Sequence, residues 1–471
     1  MEKQVQFLKE KLKNSFDAKI REVDTALGPA TLMFLDVLCS TQFISEYIIK
    51  PLTQITQGIN SEDDIEKKVL NINITGWVKD DDDALLHVLS GDAVIIFKDY
   101  PKTIFCETKG YVRRGVGTPI TEAVVKGPRE GFTEAFVDNV TLIRRRIKNS
   151  ALKFEALYVG SETQTVVTLT YIEGFAPKEL IKQVKDQIKS LDYEFILDSN
   201  YIEAKLRAKK TAFDTVGYTE KADELCAKLL EGRVAVVVDG TPFVITVPYF
   251  FMENFQTPDD YYLNRYFTSF TRMIRWLAFF IAMFLPGLYV AMVTHHFSML
   301  PTLFIFRMAV ARAGVPVPVV VEVVTIMLLF QLIKEAGLRL PQPIGTSMSL
   351  VAGLVLGDAA VGAGISSRIT IVVVSISAVS YFLIPKLYGP VSIWTIIIAI
   401  AGAMYGLPGI VLISLVLLSH LAHLKSCEYP YLFPLGTLKT YDFKDIFLRG
   451  SLDRISHHII ERDDKNERET N

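Results

Sequence analysis

The sequence predicts an α/β cytoplasmic N-terminal region of two similar subdomains, followed by an all-α polytopic membrane domain. Two observations support this prediction. Charged residues are dense up to about Arg275 and nearly disappear between Trp276 and Leu424. In addition, two stretches of the charged half align with each other without a gap. Short β-rich runs alternating with amphipathic segments are typical of α/β domains, whereas long uncharged apolar segments are typical of membrane-spanning helices.

The duplicated stretches are LSGDAVIIFKDYPKTI, Leu89 to Ile104, and LEGRVAVVVDGTPFVI, Leu230 to Ile245. Each contains Leu-x-Gly, an apolar run, a polar turn, a proline ten residues after the glycine, and a second apolar run. This pattern is typical of a β-hairpin. Upstream of each hairpin, TLMFLD or VVTLTYI predicts a strand that leads into an amphipathic helix. We therefore predict subdomains at 1–125 and 151–250, although hairpins also recur by chance in α/β proteins.

A helix is predicted between the two subdomains, in the connecting segment 126–150. It spans Gly131 to Asn149 and ends in three arginines, Arg144, Arg145 and Arg146. Positive charge at this end is favourable for the helix dipole. The arginines either contact anionic lipid or a neighbouring subunit, or they belong to a solvated helix end, and spacing alone does not decide between these interpretations.

The uncharged part is predicted to hold several spans, within a membrane domain at 276–424. An interfacial linker at 251–275 precedes it and a polar tail at 425–471 follows. The first span, Trp276 to Val293, contains Pro286-Gly287, which should kink or break the helix. The later spans are Val315 to Ile333, Ile369 to Ile384 and Ile393 to Leu424. The last is too long for one crossing and contains GLPG, so it is interpreted as a broken or re-entrant pair. Arginines before the first span place the soluble half in the cytoplasm.

Two acidic residues stand out in these apolar segments. Glu322 lies in the second span, and on a helix it shares a face with Thr325, Ile326 and Leu329. Asp358 lies in the small-residue segment PIGTSMSLVAGLVLGDAAVGAG, whose glycines favour close helix packing. Ionisable groups inside a membrane are costly and mark functional sites by default. Three hypotheses remain open for each acid: it lines an ion path, it titrates in a transporter, or it caps a backbone group or pairs with an arginine, Arg307 or Arg312 in the case of Glu322.

Composition and motifs argue against other classes of protein. The net charge of -2 predicts no bulk attraction to nucleic acid. The four cysteines are scattered, which disfavours a disulfide framework or a zinc site. The charged N-terminus lacks the apolar region of a secretory signal. The chain has no GxxxxGK[ST], GxSxG or HExxH motif, so we predict no enzyme activity, cofactor or metal.

A series of motifs lies in a fixed order between roughly Thr121 and Leu435. The motifs are KGPREGF, NVTLIRRRI, LLEGRVAVVVDGTPFVITVP, QTPDDYY, FLPGLYVA, EAGLRLPQPIG and LVAGLVLGDAAVGAG. In these motifs and in their order, the chain resembles the A subunits of GerA-type nutrient germinant receptors of endospore-forming bacteria. A related group, stage V sporulation protein AF, shares this architecture and is the alternative within the family.

The resemblance implies a multi-pass subunit of the spore inner membrane with a cytoplasmic N-terminal domain. Its partners would be a B subunit, polytopic and transporter-like, which binds the germinant, and a C subunit, a lipoprotein. It also implies a homo-oligomer, a pentamer, whose membrane domain forms a germinant-gated cation path. In such a ring Glu322 and Thr325 would line the path, Ile326 and Leu329 would form its gate, and Asp358 is the second candidate acid.

The alternative function is a non-conducting scaffold that couples germinant binding by the B subunit to ion release elsewhere. A dry, structurally paired Glu322 would favour the scaffold, and a pore-facing Glu322 would favour the channel.

Overall fold

The computed structural model describes residues 2–54, 59, 61–110, 122, 124–340, 353, 355, 357–435 and 445–451. The strands in this part of the chain are β1 Ala18–Thr25, β2 Gly28–Leu35, β3 Thr75–Trp77, β4 Asp92–Phe97, β5 Thr103–Glu107, β6 Leu152–Val159, β7 Thr165–Ile172, β8 Gly217–Thr219, β9 Val234–Val238, β10 Val244–Val247, β11 Lys425–Ser426 and β12 Tyr429–Pro430.

The longer helices are α1 Glu2–Lys11, α2 Asp81–Ser90, α3 Phe136–Arg146, α4 Lys178–Lys189, α5 Asn200–Leu206, α6 Ala222–Leu230, α7 Arg265–Thr294, α8 Thr302–Arg312, α9 Val319–Arg339, α10 Arg368–Phe382 and α11 Tyr388–His423. Shorter helical turns are Thr41–Ile44, Ser45–Ile49, Lys50–Gln54, Glu62–Asp64, Ile65–Val69, Phe251–Phe255, Asp259–Tyr262, Phe297–Met299 and Pro385–Leu387. Residues 357–362 are also helical.

The N-terminal half contains two five-stranded sheets with the same topology. Their orders are β1-β2-β4-β5-β3 and β6-β7-β9-β10-β8, and every paired neighbour is antiparallel. The predicted hairpins are β4–β5 and β9–β10, and the predicted upstream strands are β2 and β7. The sequence motif therefore identified equivalent elements of a real structural repeat. It missed β1, β3, β6 and β8, which complete the two sheets.

The two sheets share one hydrophobic core. Met33 and Val94 of the first sheet belong to the same buried cluster as Phe154 and Val237 of the second, and Val140 of α3 lies between them. The connecting helix α3 is thus a core element, shorter than the predicted Gly131 to Asn149. The boundaries proposed at residues 125 and 150 stay a prediction.

The C-terminal half is a helical bundle. Within the described residues two helices are long and apolar enough to cross a membrane, Arg265–Thr294 and the segment Pro385–His423. The second of these is interrupted by Gly406, whose dihedral angles of φ 65° and ψ -146° are not helical. Only glycine adopts such a conformation readily. The break therefore divides α11 into two legs of about 17 residues, each long enough to extend about 26 Å.

The two legs of α11 run in opposite directions along α7. At one end of the hairpin, Lys386 lies 3.7 Å from Glu122, and His420 is hydrogen-bonded to Thr211 at 3.1 Å. Both partners belong to the sheet-containing half. At the other end, a Cβ on Gly406 would lie 2.6 Å from Nε2 of His296, beyond the end of α7. The predicted broken or re-entrant pair is confirmed as a helical hairpin. We call its Lys386 side the proximal end of the bundle and its Gly406 side the distal end.

Candidate functional site

Glu322 lies in the first turn of α9 at the distal end, and its residue is 1% exposed. Its Oε1 accepts a hydrogen bond from Oγ of Ser366 at 3.0 Å and another from the backbone N–H of Ser367. Its Oε2 lies 3.5 Å from Nε of Arg312. Ser367 is the N-cap of α10, so the carboxylate sits at the positive end of that helix dipole, where negative charge is stabilised.

This arrangement joins three elements: Arg312 ends α8, Glu322 begins α9 and Ser367 begins α10. Among the three hypotheses from the sequence, the geometry favours the structural one, in which the acid caps a backbone group and pairs with Arg312. The sequence predicts Arg312 as a partner of Glu322 but not Ser366 and Ser367. A Ser-Ser pair before an apolar run is a helix N-cap signal that would have pointed to them.

The other residues predicted to line or gate the ion path lie on α9, near the contact of Glu322 with Arg312 and Ser367. Thr325, Ile326 and Leu329 are half-buried, and Ile326 packs against the cluster of Val323 and Met327. Their predicted role in a gate stays a prediction.

Asp358 has the opposite environment from Glu322. It is exposed and lies within the helical residues 357–362. A Cβ on Gly353 or Gly357 would meet no described atom within 4 Å, and Val355 is 57% exposed. The sequence analysis expected this small-residue segment to be buried against other helices. Its described residues instead leave a face open, while residues 341–352, 354 and 356 lie outside the described part of the chain.

The predicted helix break at Pro286 and Gly287 does not occur. Helix α7 continues through both residues to Thr294. Proline removes the N–H that would bond the carbonyl four residues earlier, which here is the carbonyl of Ala282. That oxygen accepts a hydrogen bond from Oγ of Ser377 at 2.9 Å and lies 3.1 Å from Oγ1 of Thr395. The Ser377 hydroxyl of α10 thus replaces the missing bond, as an apolar environment requires. The Thr395 hydroxyl of α11 lies 2.7 Å from the Val391 carbonyl and can donate its one hydrogen to either carbonyl.

The paired hydroxyls lead to a testable prediction. Replacing Ser377 with alanine and Thr395 with valine together should leave the Ala282 carbonyl unsatisfied and reduce the free energy of unfolding by about 1–3 kcal/mol. Ser377→Ala alone should cost less than half of this, because the Thr395 hydroxyl can turn from the Val391 carbonyl to the Ala282 carbonyl. The measurement is thermal unfolding of the detergent-solubilised protein followed by tryptophan fluorescence. Ser380→Ala is the control, since the Ser380 hydroxyl donates to the Ile376 carbonyl of its own helix. Additive single effects would contradict the shared-acceptor explanation.

At the proximal end, a cluster of charges connects the linker, the start of α7 and the segment 445–451. Asp260 is 1% exposed and accepts hydrogen bonds from Arg275 at 2.8 and 2.9 Å and from Arg272 at 3.0 Å. Arg272 also binds Asp445 at 2.7 Å. The guanidinium of Arg449 donates to the carbonyls of Leu263 and Tyr261. From the sequence, Arg272 and Arg275 indicate only on which side of the membrane the soluble half lies. The sequence does not predict Asp260 and Asp445 as their partners.

The charges around Asp260 predict a pH dependence. Burial alone would raise the pKa of Asp260, but hydrogen bonds and charge from Arg275 and Arg272 outweigh it, so the net pKa lies below 3.8. The folded state therefore binds this proton less readily than the unfolded state. The resulting stabilisation is complete well above pH 4 and is lost as the pH falls below about 4.

Hydrogen exchange of the full chain in detergent would test this. Protection of residues 256–275 should fall on acidification from pH 5 to 3 in the wild type. In Asp260→Asn it should be lower throughout and change less over this range. Asp259→Asn is the neighbouring control, because among the described residues the Asp259 side chain accepts one hydrogen bond, from the exposed backbone N–H of Val125. The same acid response in Asp260→Asn as in the wild type would contradict the assignment.

A second charged contact joins the bundle to the sheets. Lys386 precedes α11, and its Nζ lies 3.7 Å from Oε1 of Glu122. This pair holds the turn between α10 and α11 against the sheet-containing half.

The three predicted arginines of α3 have different roles. Arg144 is buried and forms a bidentate pair with Asp17, at 2.9 and 3.0 Å. It therefore does not reach lipid or a neighbouring subunit, and the contact hypothesis is wrong for this residue. Arg145 and Arg146 pair with Glu130 and remain partly exposed. For these two, an external contact stays a prediction.

Sequence comparisons assign the chain to a family. Residues 6–458 match the family described as Bacillus/Clostridium GerA spore germination protein. The chain belongs to the GerA spore germination protein family. Spore germination protein KA of Bacillus subtilis (strain 168) is 35% identical over 449 residues, which cover 94% of this chain and 82% of the relative. Spore germination protein GerLA of Bacillus cereus is 30% identical over 451 residues, 94% of this chain and 91% of the relative.

Another relative is the uncharacterized membrane protein YfkQ of Bacillus subtilis (strain 168), 33% identical over 89% of this chain and 82% of its own length. Among solved structures, the crystal structure of the N-terminal domain of the A subunit of the Bacillus megaterium spore germinant receptor GerK3 is 28% identical. The match covers 52% of this chain and 94% of the GerK3 chain, with a TM-score of 0.41. Family membership and the two long apolar helices together indicate membrane association of this GerA family chain.

Proposed function

We propose that this GerA family chain is the A-type subunit of a nutrient germinant receptor. It is a multi-pass protein of the spore inner membrane, with the two sheets in the cytoplasm. It acts with a transporter-like B subunit that binds the germinant and with a lipoprotein C subunit. The family match supports the receptor role, and the proximal charged contacts explain how the sheet-containing half is mechanically coupled to the bundle.

Within that role, we propose that several copies, a pentamer by family resemblance, surround a cation path. The observation that carries this proposal is the exposure of Asp358 beside the open face of Gly353 and Gly357. Small residues let helices of different copies approach closely, and an exposed acid in an apolar segment is costly unless it faces water or a partner. A ring of Asp358 carboxylates would attract cations and repel anions. Glu322, which caps α10 and pairs with Arg312 within its own chain, would hold the distal ends of α8, α9 and α10 together.

The second candidate function is the non-conducting scaffold. The observation that favours it is Glu322 itself, since its carboxylate is buried and structurally paired rather than directed into a path. In that case the path for ions lies in another protein and this chain transmits the signal.

Ion release from vesicles tests the two proposals. The chain would be reconstituted with its B and C partners in potassium-loaded vesicles, and amino acids and sugars would be added in turn. If the subunit conducts, Asp358→Asn should reduce germinant-dependent release about ten-fold or more, as expected when a charged ring is neutralised. Asp358→Glu should retain release, because it keeps the charge.

Glu322→Gln is the matched comparison. Its amide oxygen can still accept the bonds from Ser366 and Ser367, so assembly should persist and release should change less than in Asp358→Asn. If Asp358→Asn conducts like the wild type, Asp358 does not line the path. If a folded complex that binds germinant releases no potassium at all, the scaffold is the correct function.

A further inference from the structure

The bundle contains a cavity that the proposed ion path does not use. It has a volume of about 220 Å³ and lies between α9, α10 and the first leg of α11. Its apolar wall includes Met327, Phe330, Val374, Ala378 and Ile396. No charged side chain of the described residues is among those that line it.

The polar side chains that line the cavity are already hydrogen-bonded to the protein. Ser377 donates to the Ala282 carbonyl, Tyr381 donates to Thr395 and Ser392 donates to the Gly389 carbonyl. The carbonyl oxygen of Gln331 accepts a bond from Tyr388. A zwitterionic molecule such as a free amino acid would therefore lose its hydration without gaining ionic partners, which is unfavourable. The chemistry of the cavity selects an apolar occupant.

The rim of the cavity reaches the outer surface of the bundle. Leu328 and Ile393 both line the cavity, and they are 50% and 51% exposed. An apolar opening at the surface of a membrane bundle is accessible to lipid or to another helix. A helix from a second copy is about 10 Å wide and does not fit into a cavity of this volume, whereas a hydrocarbon chain does.

The positively charged side chain of Lys334 lies near the proximal end of the same cavity. Lys334 follows Gln331 by one helical turn on α9, and its ammonium group contacts the ring of Tyr388, the residue that bonds Gln331. Glu335, the nearest acid along the helix, is paired with Arg339 at 2.6 Å. Among the described residues Lys334 forms no ion pair. A basic group at the cytoplasmic end of a cleft between membrane helices suits an anionic lipid headgroup.

We propose that this cavity binds an acyl chain of an anionic phospholipid, with Lys334 beside the phosphate. This inference rests on the proposed function in one respect, that the bundle lies in a bilayer with its proximal end towards the cytoplasm. The bound chain would pack against Ser377 and Tyr381, and both of these residues belong to the hydrogen-bonded cluster around the Ala282 carbonyl. Lipid occupancy would thereby stabilise the contact of α7, α10 and α11.

Photo-crosslinking of the full chain in vesicles tests the proposal. The probe is phosphatidylglycerol with a diazirine in one acyl chain, diluted into phosphatidylcholine, and the crosslinked peptides are identified by mass spectrometry. Labelling should concentrate on residues 327–331, 374–381 and 392–396. Unlabelled phosphatidylglycerol should compete better than phosphatidylcholine, and Lys334→Gln should abolish this preference.

Two variants that block the cavity provide the decisive comparison. Ala378→Phe fills it from inside, and Ile393→Trp closes its exposed rim without changing the core. Both should reduce the concentrated labelling about ten-fold, as expected when a bound chain is sterically excluded. Leu415→Trp is the matched control, because Leu415 is 61% exposed and does not line the cavity.

The remaining outcomes would overturn the proposal. Uniform labelling of all exposed helices, unchanged in Ile393→Trp, would mean that the cavity holds no lipid. Crosslinks from these residues to a second copy would assign the cavity to a subunit interface. If no helix is labelled, including the surface around Leu415, the bundle does not lie in the bilayer, and the proposed function fails together with this inference.

Discussion

Arg144→Ala should destabilise the sheet-containing half by about 3–5 kcal/mol, the usual cost of leaving one partner of a buried ion pair uncompensated. Arg144 and Asp17 are 1% and 0% exposed. The guanidinium also donates to the Leu152 carbonyl at 3.1 Å and lies 4.7 Å from the centre of the Phe154 ring. It thus joins the start of β1, the end of α3 and the start of β6. Its loss should loosen the contact between the two sheets.

Pulse proteolysis of the full chain across a urea series would measure this effect. Arg145→Ala is the matched control, because Arg145 and Glu130 are 32% and 38% exposed and such pairs contribute only about 0–1 kcal/mol. A double replacement, Arg144→Met with Asp17→Leu, should recover much of the loss because it leaves no buried charge. If Arg144→Ala lowers the midpoint no more than Arg145→Ala, the pair does not hold the sheets together.

Gly402→Val should disrupt the packing of α11 against α7. A Cβ at this position would lie 2.8 Å from the carbonyl oxygen of Gly287, a backbone atom that cannot move aside without displacing a helix. Overpacking of this kind typically costs about 1–3 kcal/mol, and more where backbones must separate. Separation of the two helices would also pull Thr395 away from the Ala282 carbonyl. The loss of this contact should add to the cost of overpacking.

Gly389→Ala in the same helix is the control, since its Cβ would meet no described atom within 4 Å. The measurement is thermal unfolding in detergent, together with the fraction of protein that remains monodisperse. Gly402→Val should lower the unfolding temperature and increase aggregation, whereas Gly389→Ala should leave both unchanged or improve them through helix propensity. Equal behaviour of the two variants would show that the close approach of Gly287 and Gly402 is not required.

The two glycine–proline motifs of the bundle show why helix breaks are hard to predict from sequence. Pro286-Gly287 and the GLPG motif at 406–409 look equally disruptive, yet only Gly406 interrupts its helix. The difference lies in the neighbours. The Ser377 hydroxyl, with the Thr395 hydroxyl nearby, replaces the bond that Pro286 removes from the Ala282 carbonyl. These two residues lie 95 and 113 positions after Ala282 in the chain. No local pattern predicts such a donor.

The two acids of the apolar segments show the same difference between what a local pattern predicts and what the fold decides. The sequence correctly marked Glu322 and Asp358 as unusual, because a charge in an apolar segment is visible in any window of the chain. It ranked Glu322 first as the group that lines an ion path. The fold places Glu322 against Ser366 and Ser367, 44 and 45 residues away, and leaves Asp358 exposed, which reverses that ranking in our proposal.

The sequence by itself determined the division into a charged α/β half and an apolar helical half, the repeated hairpins and the family. These features depend on local composition, on period-two alternation and on turn residues, all of which can be recognised over short windows. Only the tertiary structure decided which buried charges are paired, which proline is tolerated and which acid is exposed. Each of these depends on a partner that is distant in the chain, such as Asp17 for Arg144, 127 residues apart. Burial of a polar group is stable only when such a partner is brought to it.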